Sequence, residues 1–456
     1  MKRDPAPPAD TPAARQGSAW LRYFSDSPDE TFRAFVRERF PSRADRLDDD
    51  LELREVTGGF DMRTIEESSP TRWIALVQER DSDQFARLTI DVADAEPHLI
   101  IGLDLRAVAA PAGFSLPHLG EGELLAQLKQ RLDHQLVADR FAGAVLVARD
   151  GAVMYAEAYG LADRERKVGN RLETRFRIGS MNKMFTATAV LQLVQAGKVA
   201  LDDPLGAHLS DLANREIART VTIRHLLTHT GGTGDIFGPE FDAHRLELRR
   251  LADYVELYGG RAPEHQPGSR WAYSNYGYIL LGLVIERASG EDYYDYVDQH
   301  VYRTCGMTSS GSLPEEQEIS DRSVGYTKMS GSGPWRPNRD TLPYRGSPAG
   351  GGYSTVHDLL RFARALQSHV LLDAEHTELM TTGKVDTPGG RYAFGFGDRT
   401  LNGTRCFGHN GAAAGMSGDL KICRDSGYVV AVLANIDPPA ANRISDFIVN
   451  RLPLPV

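Results

Sequence analysis

Phe176-Arg177-Ile178-Gly179-Ser180-Met181-Asn182-Lys183, followed by Met184-Phe185-Thr186-Ala187-Thr188-Ala189-Val190-Leu191, joins a polar helix start to an apolar helical run. A helix that begins near Ser180 and ends at Gly197 places Ser180 and Lys183 on one face, one turn apart. A serine hydroxyl is a poor nucleophile until a base takes its proton. A lysine amine can take it if burial depresses its pKa, and a helix start favours developing negative charge. Alone, the short and common tetrapeptide reads better as an N-cap serine followed by a solvated lysine.

Two further segments lie downstream. Trp271-Ala272-Tyr273-Ser274-Asn275-Tyr276-Gly277 follows Pro267-Gly268 and precedes the apolar helix from Tyr278 to Ala288. A tyrosine and an asparagine two apart in a loop can point into one cleft, the phenol relaying a proton and the amide holding a carbonyl or the lysine. Phe407-Gly408-His409-Asn410-Gly411-Ala412 ends an expected strand, with His409 and Gly411 on one side of it. Glycine there permits close approach of a substrate backbone, and the N–H groups of Ala412 and Ser180 are candidate oxyanion donors.

Each segment is weak alone; their order is not. Together they make the chain from about residue 119 to the C-terminus resemble the serine β-lactamase and penicillin-binding-protein superfamily. The nearest branch is class C-like, with D-alanyl-D-alanine carboxypeptidases, D-aminopeptidases and β-lactamase-like esterases. Ser180-Met181-Asn182-Lys183 is similar to its S-x-x-K motif, Tyr273-Ser274-Asn275 to Y-x-N and His409-Asn410-Gly411 to the H-x-G form of the third motif. Thr222-Ile223-Arg224-His225-Leu226-Leu227-Thr228-His229-Thr230-Gly231-Gly232 and Gly350-Gly351-Gly352-Tyr353-Ser354-Thr355 also match in order.

The resemblance implies an antiparallel sheet flanked by helices plus a helical lobe, with a cleft between. It implies a serine hydrolase working through an acyl-enzyme without metal or other cofactor. Ser180 would be the nucleophile, with Lys183 and Tyr273 sharing proton transfer. Asn275, His409 and Gly411 would bind substrate. Many relatives that act on penicillins carry lysine first in the third motif, and histidine is largely neutral near pH 7. Small esters or D-amino-acid amides and peptides are therefore expected ahead of β-lactams. The alternatives are a β-lactamase or penicillin-binding carboxypeptidase, an acyltransferase of the same fold, and a slowly acylating binding or sensor protein.

The rest of the chain sets bounds. With 52 Lys+Arg against 62 Asp+Glu, the charge of −10 argues against nucleic-acid binding. The longest apolar run, Tyr278 to Ile285, is far short of the roughly 18 residues a membrane span needs. Residues 1–17 are Pro/Ala-rich and are expected as a disordered leader. The leader suggests a periplasmic or secreted protein whose signal has been removed, with the cytoplasm as alternative. Residues 18–107 read as two short helices and then alternating strands, a small α+β domain resembling NTF2-like folds and a candidate homo-oligomer contact. Residues 108–118 read as a linker, and 119–456 as the hydrolase domain, with strands at both ends forming one sheet. His225 and His229 have the i, i+4 spacing of zinc ligands, but the glutamate of H-E-x-x-H is missing and a polar helix end explains them better. No G-x-S-x-G elbow occurs. Cys305, Cys406 and Cys423 allow one disulfide at most.

Overall fold

The computed structural model describes residues 10–111, 113–328 and 333–454. The chain divides after Ser115 into two compact units. The first holds α1 (Pro12–Asp26), α2 (Asp29–Arg39), α3 (Leu47–Thr57) and strands β1 (Phe60–Ser68), β2 (Arg72–Glu79), β3 (Phe85–Val92) and β4 (Ile100–Val108). The four strands pair antiparallel in chain order, and Trp20, Phe24, Phe32, Trp73 and Ile90 are fully buried between helices and sheet.

Residues 12–17 are not a disordered leader. Thr11 caps α1 by accepting the Ala14 N–H at 3.1 Å, and Pro12 sits at the helix start, where its fixed φ and missing N–H suit the first turn. Ala13, Ala14 and Gly17 share the buried face of α1 with Trp20, Leu21 and Phe24. A side chain on Gly17 would lie 2.3 Å from the Trp73 ring. The small residues that read as leader composition are a packing surface for an indole. Residues 1–9 lie outside the described residues. The expected linker is also divided. Phe114 packs on Phe85 at 4.7 Å, whereas His118 bonds the Leu452 carbonyl at 2.6 Å and Leu119 donates to Arg451 at 2.9 Å.

In the second unit α4 (Glu121–Val137) leads into β5 (Gly143–Arg149) and β6 (Ala152–Tyr159), then the small pair β7 (Leu161–Asp163) and β8 (Val168–Gly169). Next come β9 (Phe176–Gly179), α5 (Asn182–Gln195), α6 (Arg215–Thr220), α7 (Ile223–Leu227), α8 (Pro239–His244), α9 (Leu251–Tyr258), α10 (Asn275–Ser289) and α11 (Tyr293–Val297). After β10 (Tyr326–Thr327), β11 (Arg336–Pro337) and β12 (Gly352–Ser354) follow α12 (Val356–Gln367) and α13 (Ala374–Thr381). Strands β13 (Val385–Thr387), β14 (Gly390–Tyr392), β15 (Gly397–Leu401), β16 (Thr404–Ala413), β17 (Met416–Cys423) and β18 (Tyr428–Ala434), then α14 (Ala440–Val449), close the unit.

One eight-stranded antiparallel sheet, in the order β13-β14-β15-β16-β17-β18-β5-β6, is built from both ends of the unit, as the strand pattern implies. Strand β5 is buried on both faces. Ala144, Leu146 and Ala148 face the core shared with α5, α10 and α12, while Val145 and Val147 face the core shared with α4 and α14. Period-2 alternation thus sends successive side chains into two cores. Among the described residues no helix is long and apolar enough to cross a membrane.

Cys406 of β16 and Cys423 of β17 form a disulfide between adjacent strands, and Cys305 remains a free thiol pushed up to about 12 by burial. Alkylation of the unfolded protein without reductant is expected to label one cysteine by intact mass, and three after reduction. Cys406→Ser is expected to lower unfolding stability by about 2–4 kcal/mol in denaturant titration under oxidising conditions.

Candidate active site

Ser180 lies in the tight turn between β9 and α5, with Lys183 in the first turn of the helix. The turn requires Gly179, whose φ of +49° favours a residue without a side chain. The Lys183 side chain is fully buried, and its Nζ lies 3.2 Å from Ser180 Oγ, 2.7 Å from Asn275 Oδ1 and 2.5 Å from the Ala349 carbonyl oxygen. Burial lowers the amine to about 7, against the opposing charge of Asp235. A neutral amine has two N–H groups and one lone pair. Asn275 and Ala349 can accept only from the N–H groups, so the lone pair is left for the Ser180 hydroxyl.

Asn275 is the first residue of α10, not a loop residue, and Ser274 caps that helix by accepting the Gly277 N–H at 2.9 Å. The Asn275 amide is held one way round. Asp235 Oδ1 accepts from its Nδ2 at 2.9 Å and from its backbone N–H at 3.1 Å, which leaves Oδ1 facing Lys183. Tyr273 lies beside Ser180, and burial pushes its phenol well above its usual value, so it remains protonated. Lys183 Nζ lies 4.7 Å from the centre of the Tyr273 ring.

The third motif differs more from expectation. His409 is buried on β16, with Nε2 3.0 Å from the Tyr392 hydroxyl and Nδ1 2.5 Å from the Asn410 carbonyl. Both ring nitrogens are therefore occupied within the protein, and burial next to Lys183 lowers the imidazole to about 3. His409 supplies no positive charge to a substrate. Gly411 does not make room for substrate either. A Cβ there would lie 1.9 Å from the Ile178 carbonyl oxygen, so the missing side chain lets β16 approach β9. That approach matters for the amides: a Cβ on Gly179 would sit 3.0 Å from the Ala412 nitrogen, which puts the Ala412 N–H beside the Ser180 turn.

Sequence reading missed Asp235, Ala349, His229 and Tyr392. His229 is buried, has φ +57°, stacks on Tyr273 with centroids 4.2 Å apart and accepts the Ser274 N–H at 3.1 Å. It is no solvated helix end; His225, its i−4 neighbour, instead accepts the Thr222 N–H at 3.2 Å. The positional signal was the match of Thr222–Gly232 and Gly350–Thr355, which flank these groups. Beside Tyr273 and His409 lies a cavity of about 310 Å³, lined also by Trp271, Tyr392, Arg399 and Asn410.

Residues 128–453 match the family described as Beta-lactamase, and the chain belongs to this family of serine hydrolases. It is 30% identical over 311 residues to the putative penicillin-binding protein PbpX of Bacillus subtilis, covering 67% of this chain and 74% of the relative. It is 36% identical over 222 residues to esterase EstB of Burkholderia gladioli, covering 46% and 56%. Among solved structures, a D-stereospecific amidohydrolase from Streptomyces sp. superposes with a TM-score of 0.61 at 30% identity, over 70% of this chain and 97% of that one. An octameric penicillin-binding protein homologue from Pyrococcus abyssi gives 0.64 at 26% identity, over 72% and 78%.

Gly411→Ala is expected to cost about 1–3 kcal/mol of stability by forcing β16 off β9. It should also lower turnover, because the Ala412 N–H moves with the strand; thermal melting and ester hydrolysis measured together check both.

Proposed function

We propose that this protein hydrolyses small esters or D-amino-acid amides and peptides through an acyl-enzyme on Ser180. The observation that carries this reading is the placement of the buried Lys183 amine, both of whose N–H groups have fixed acceptors while its lone pair faces Ser180 Oγ. Lys183 takes the serine proton as Ser180 attacks the carbonyl. Tyr273 gives a proton to the leaving group as it takes one from Lys183, so it ends as the neutral phenol and the amine is free again. Lys183 then takes the proton of the water that deacylates and returns it to Ser180 Oγ. The Ser180 and Ala412 N–H groups stabilise the tetrahedral oxyanion, worth about 3–4 kcal/mol per donor in measured cases. Asn275 holds Lys183 and, through Asp235, keeps one orientation.

The substrate preference rests on two observations. His409 is neutral and tied up within the protein, so the third motif provides no cation for an obligatory substrate carboxylate. The cavity of about 310 Å³ beside Tyr273 and His409 is of a size for a small-molecule substrate. Relatives described as an esterase and a D-stereospecific amidohydrolase agree with this choice. The first unit is proposed as a homo-oligomer contact, because Ile101 on edge strand β4 and Met62 on edge strand β1 are exposed apolar side chains. Light scattering of the full chain against a chain starting at Leu116 tests it.

The catalytic reading is tested by mixing the protein separately with a short-chain aryl ester, a D-alanyl amide and a penicillin, with intact mass followed over time. Multiple turnover of ester or amide is expected, lost roughly 10³-fold or more in Ser180→Ala and in Lys183→Met, and unchanged by a chelator. A lasting penicillin adduct without turnover of the other two would instead mark a slow penicillin-binding protein. The acylation rate should be flat above pH 7 and fall about tenfold per pH unit below it, since the amine at about 7 acts as base only when neutral.

A further inference from the structure

We propose that His229 and Tyr392 are positioning residues that join the second motif to the third through a hydrogen-bond chain of fixed direction, with His229 in the Nε2–H form and His409 in the Nδ1–H form. The chain has a donor at one end and an acceptor at the other, and neither can change role. The Ser274 backbone N–H, between Tyr273 and Asn275, can only donate, and it meets His229 Nδ1 at 3.1 Å. Nδ1 is therefore the unprotonated nitrogen, and the ring proton of neutral His229 is on Nε2, 3.1 Å from the Tyr392 oxygen. At the far end the Asn410 carbonyl can only accept, so His409 carries its proton on Nδ1 at 2.5 Å from it. His409 Nε2 then needs a donor, and the Tyr392 hydroxyl is 3.0 Å away.

Every proton in this path has one place. Ser274 N–H donates to His229, His229 to Tyr392, Tyr392 to His409 and His409 to Asn410. Tyr278, which packs against His229 with centroids 5.1 Å apart, spends its own proton on the Leu227 carbonyl at 3.0 Å. Its oxygen is a weaker acceptor than an imidazole nitrogen and does not divert the Tyr392 proton. The charged and titratable groups around the two rings are Lys183, Arg399, Asp419 and the phenols of Tyr273, Tyr278 and Tyr392. Burial and Lys183 hold both imidazoles below their usual range, so the chain stays neutral where the amine is active.

The consequence for catalysis rests on the acyl-enzyme reading. The His229 ring stacks on Tyr273, so a ring fixed at Nδ1 by Ser274 and at Nε2 by Tyr392 holds that phenol over Ser180. Tyr392 lies on β14 and His229 follows α7, so the chain spans from the helical lobe to the sheet that carries Ala412. Neither residue touches the reacting atoms.

The test uses the full-length protein labelled with 15N-histidine, with long-range 1H–15N spectra between pH 6 and 8 and signals assigned with His229→Gln and His409→Gln. Expected are a neutral His229 protonated on Nε2 and a neutral His409 protonated on Nδ1, neither titrating in that range. A charged ring, or either opposite tautomer, overturns the proposal whether or not the enzyme turns over. Tyr392→Phe removes one acceptor and one donor while keeping the ring. It should lower kcat on the aryl ester about 10–100-fold with KM changed less than about threefold. Wild-type kcat in a folded Tyr392→Phe protein, or a loss carried mainly by KM, would overturn the positioning role. If Ser180→Ala proves as active as wild type, the acyl-enzyme reading fails while the tautomer result still stands or falls by itself.

Discussion

Burial of the Lys183 amine is the constraint around which the second unit is organised. Lys183 has no exposed surface, so its charged form loses hydration that nothing in the core replaces in full. The protein does not pair it directly with a carboxylate, which would hold the proton on. Asp235 is set one residue back, bonding to Asn275, and Asn275 presents only a neutral oxygen to the amine. The second acceptor, the Ala349 carbonyl, comes from backbone and cannot ionise. These partners come from α10 and from the segment before β12, which is why α5 packs centrally between them.

Close packing also governs the backbone at the Ser180 turn. Gly179, Gly350 and Gly411 surround the Ser180 turn, and a Cβ on any of them would lie within 3.0 Å of main-chain atoms. Side chains there would part β9, β16 and the strand leading to β12. The amide groups around Ser180 are thus placed by strands packed nearly in contact, and so depend little on side-chain rotamers.

The grouping of Ser180, Lys183, Tyr273 and Asn275 was legible because these side chains carry chemistry and their spacing follows helix starts. The sheet was legible because β5 and β18, near the two ends of the unit, are apolar runs bounded by turns. What stayed hidden had no local mark. Ala349 contributes a carbonyl, which any residue has. Asp235 gains meaning only through contact with Asn275, forty positions on. His229 lies four after His225 and read as a helix end, yet its positive φ turns it into the core. Gly411 was assigned to substrate because nothing in a sequence tells whose backbone a glycine admits. Pro12 to Gly17 misled through composition, since small residues packed on Trp73 resemble an unstructured leader.

The sheet's pairing has a consequence for how the protein is made. Strand β18 hydrogen-bonds β5 along its whole length, from Tyr428 opposite Arg149 to Ala434 opposite Gly143. During synthesis β5, β6 and the nucleophile helix emerge long before the strand that closes them, and with them the apolar face of α5. The first unit has local pairings throughout and can fold as it leaves the ribosome, but the second must wait for β18. In that interval β5 is an open edge with an apolar face on each side. A ribosome stalled or a chain truncated between Gln195 and Tyr428 therefore yields a product prone to aggregate, in which Lys183 is still in water and its amine keeps an ordinary, high pKa.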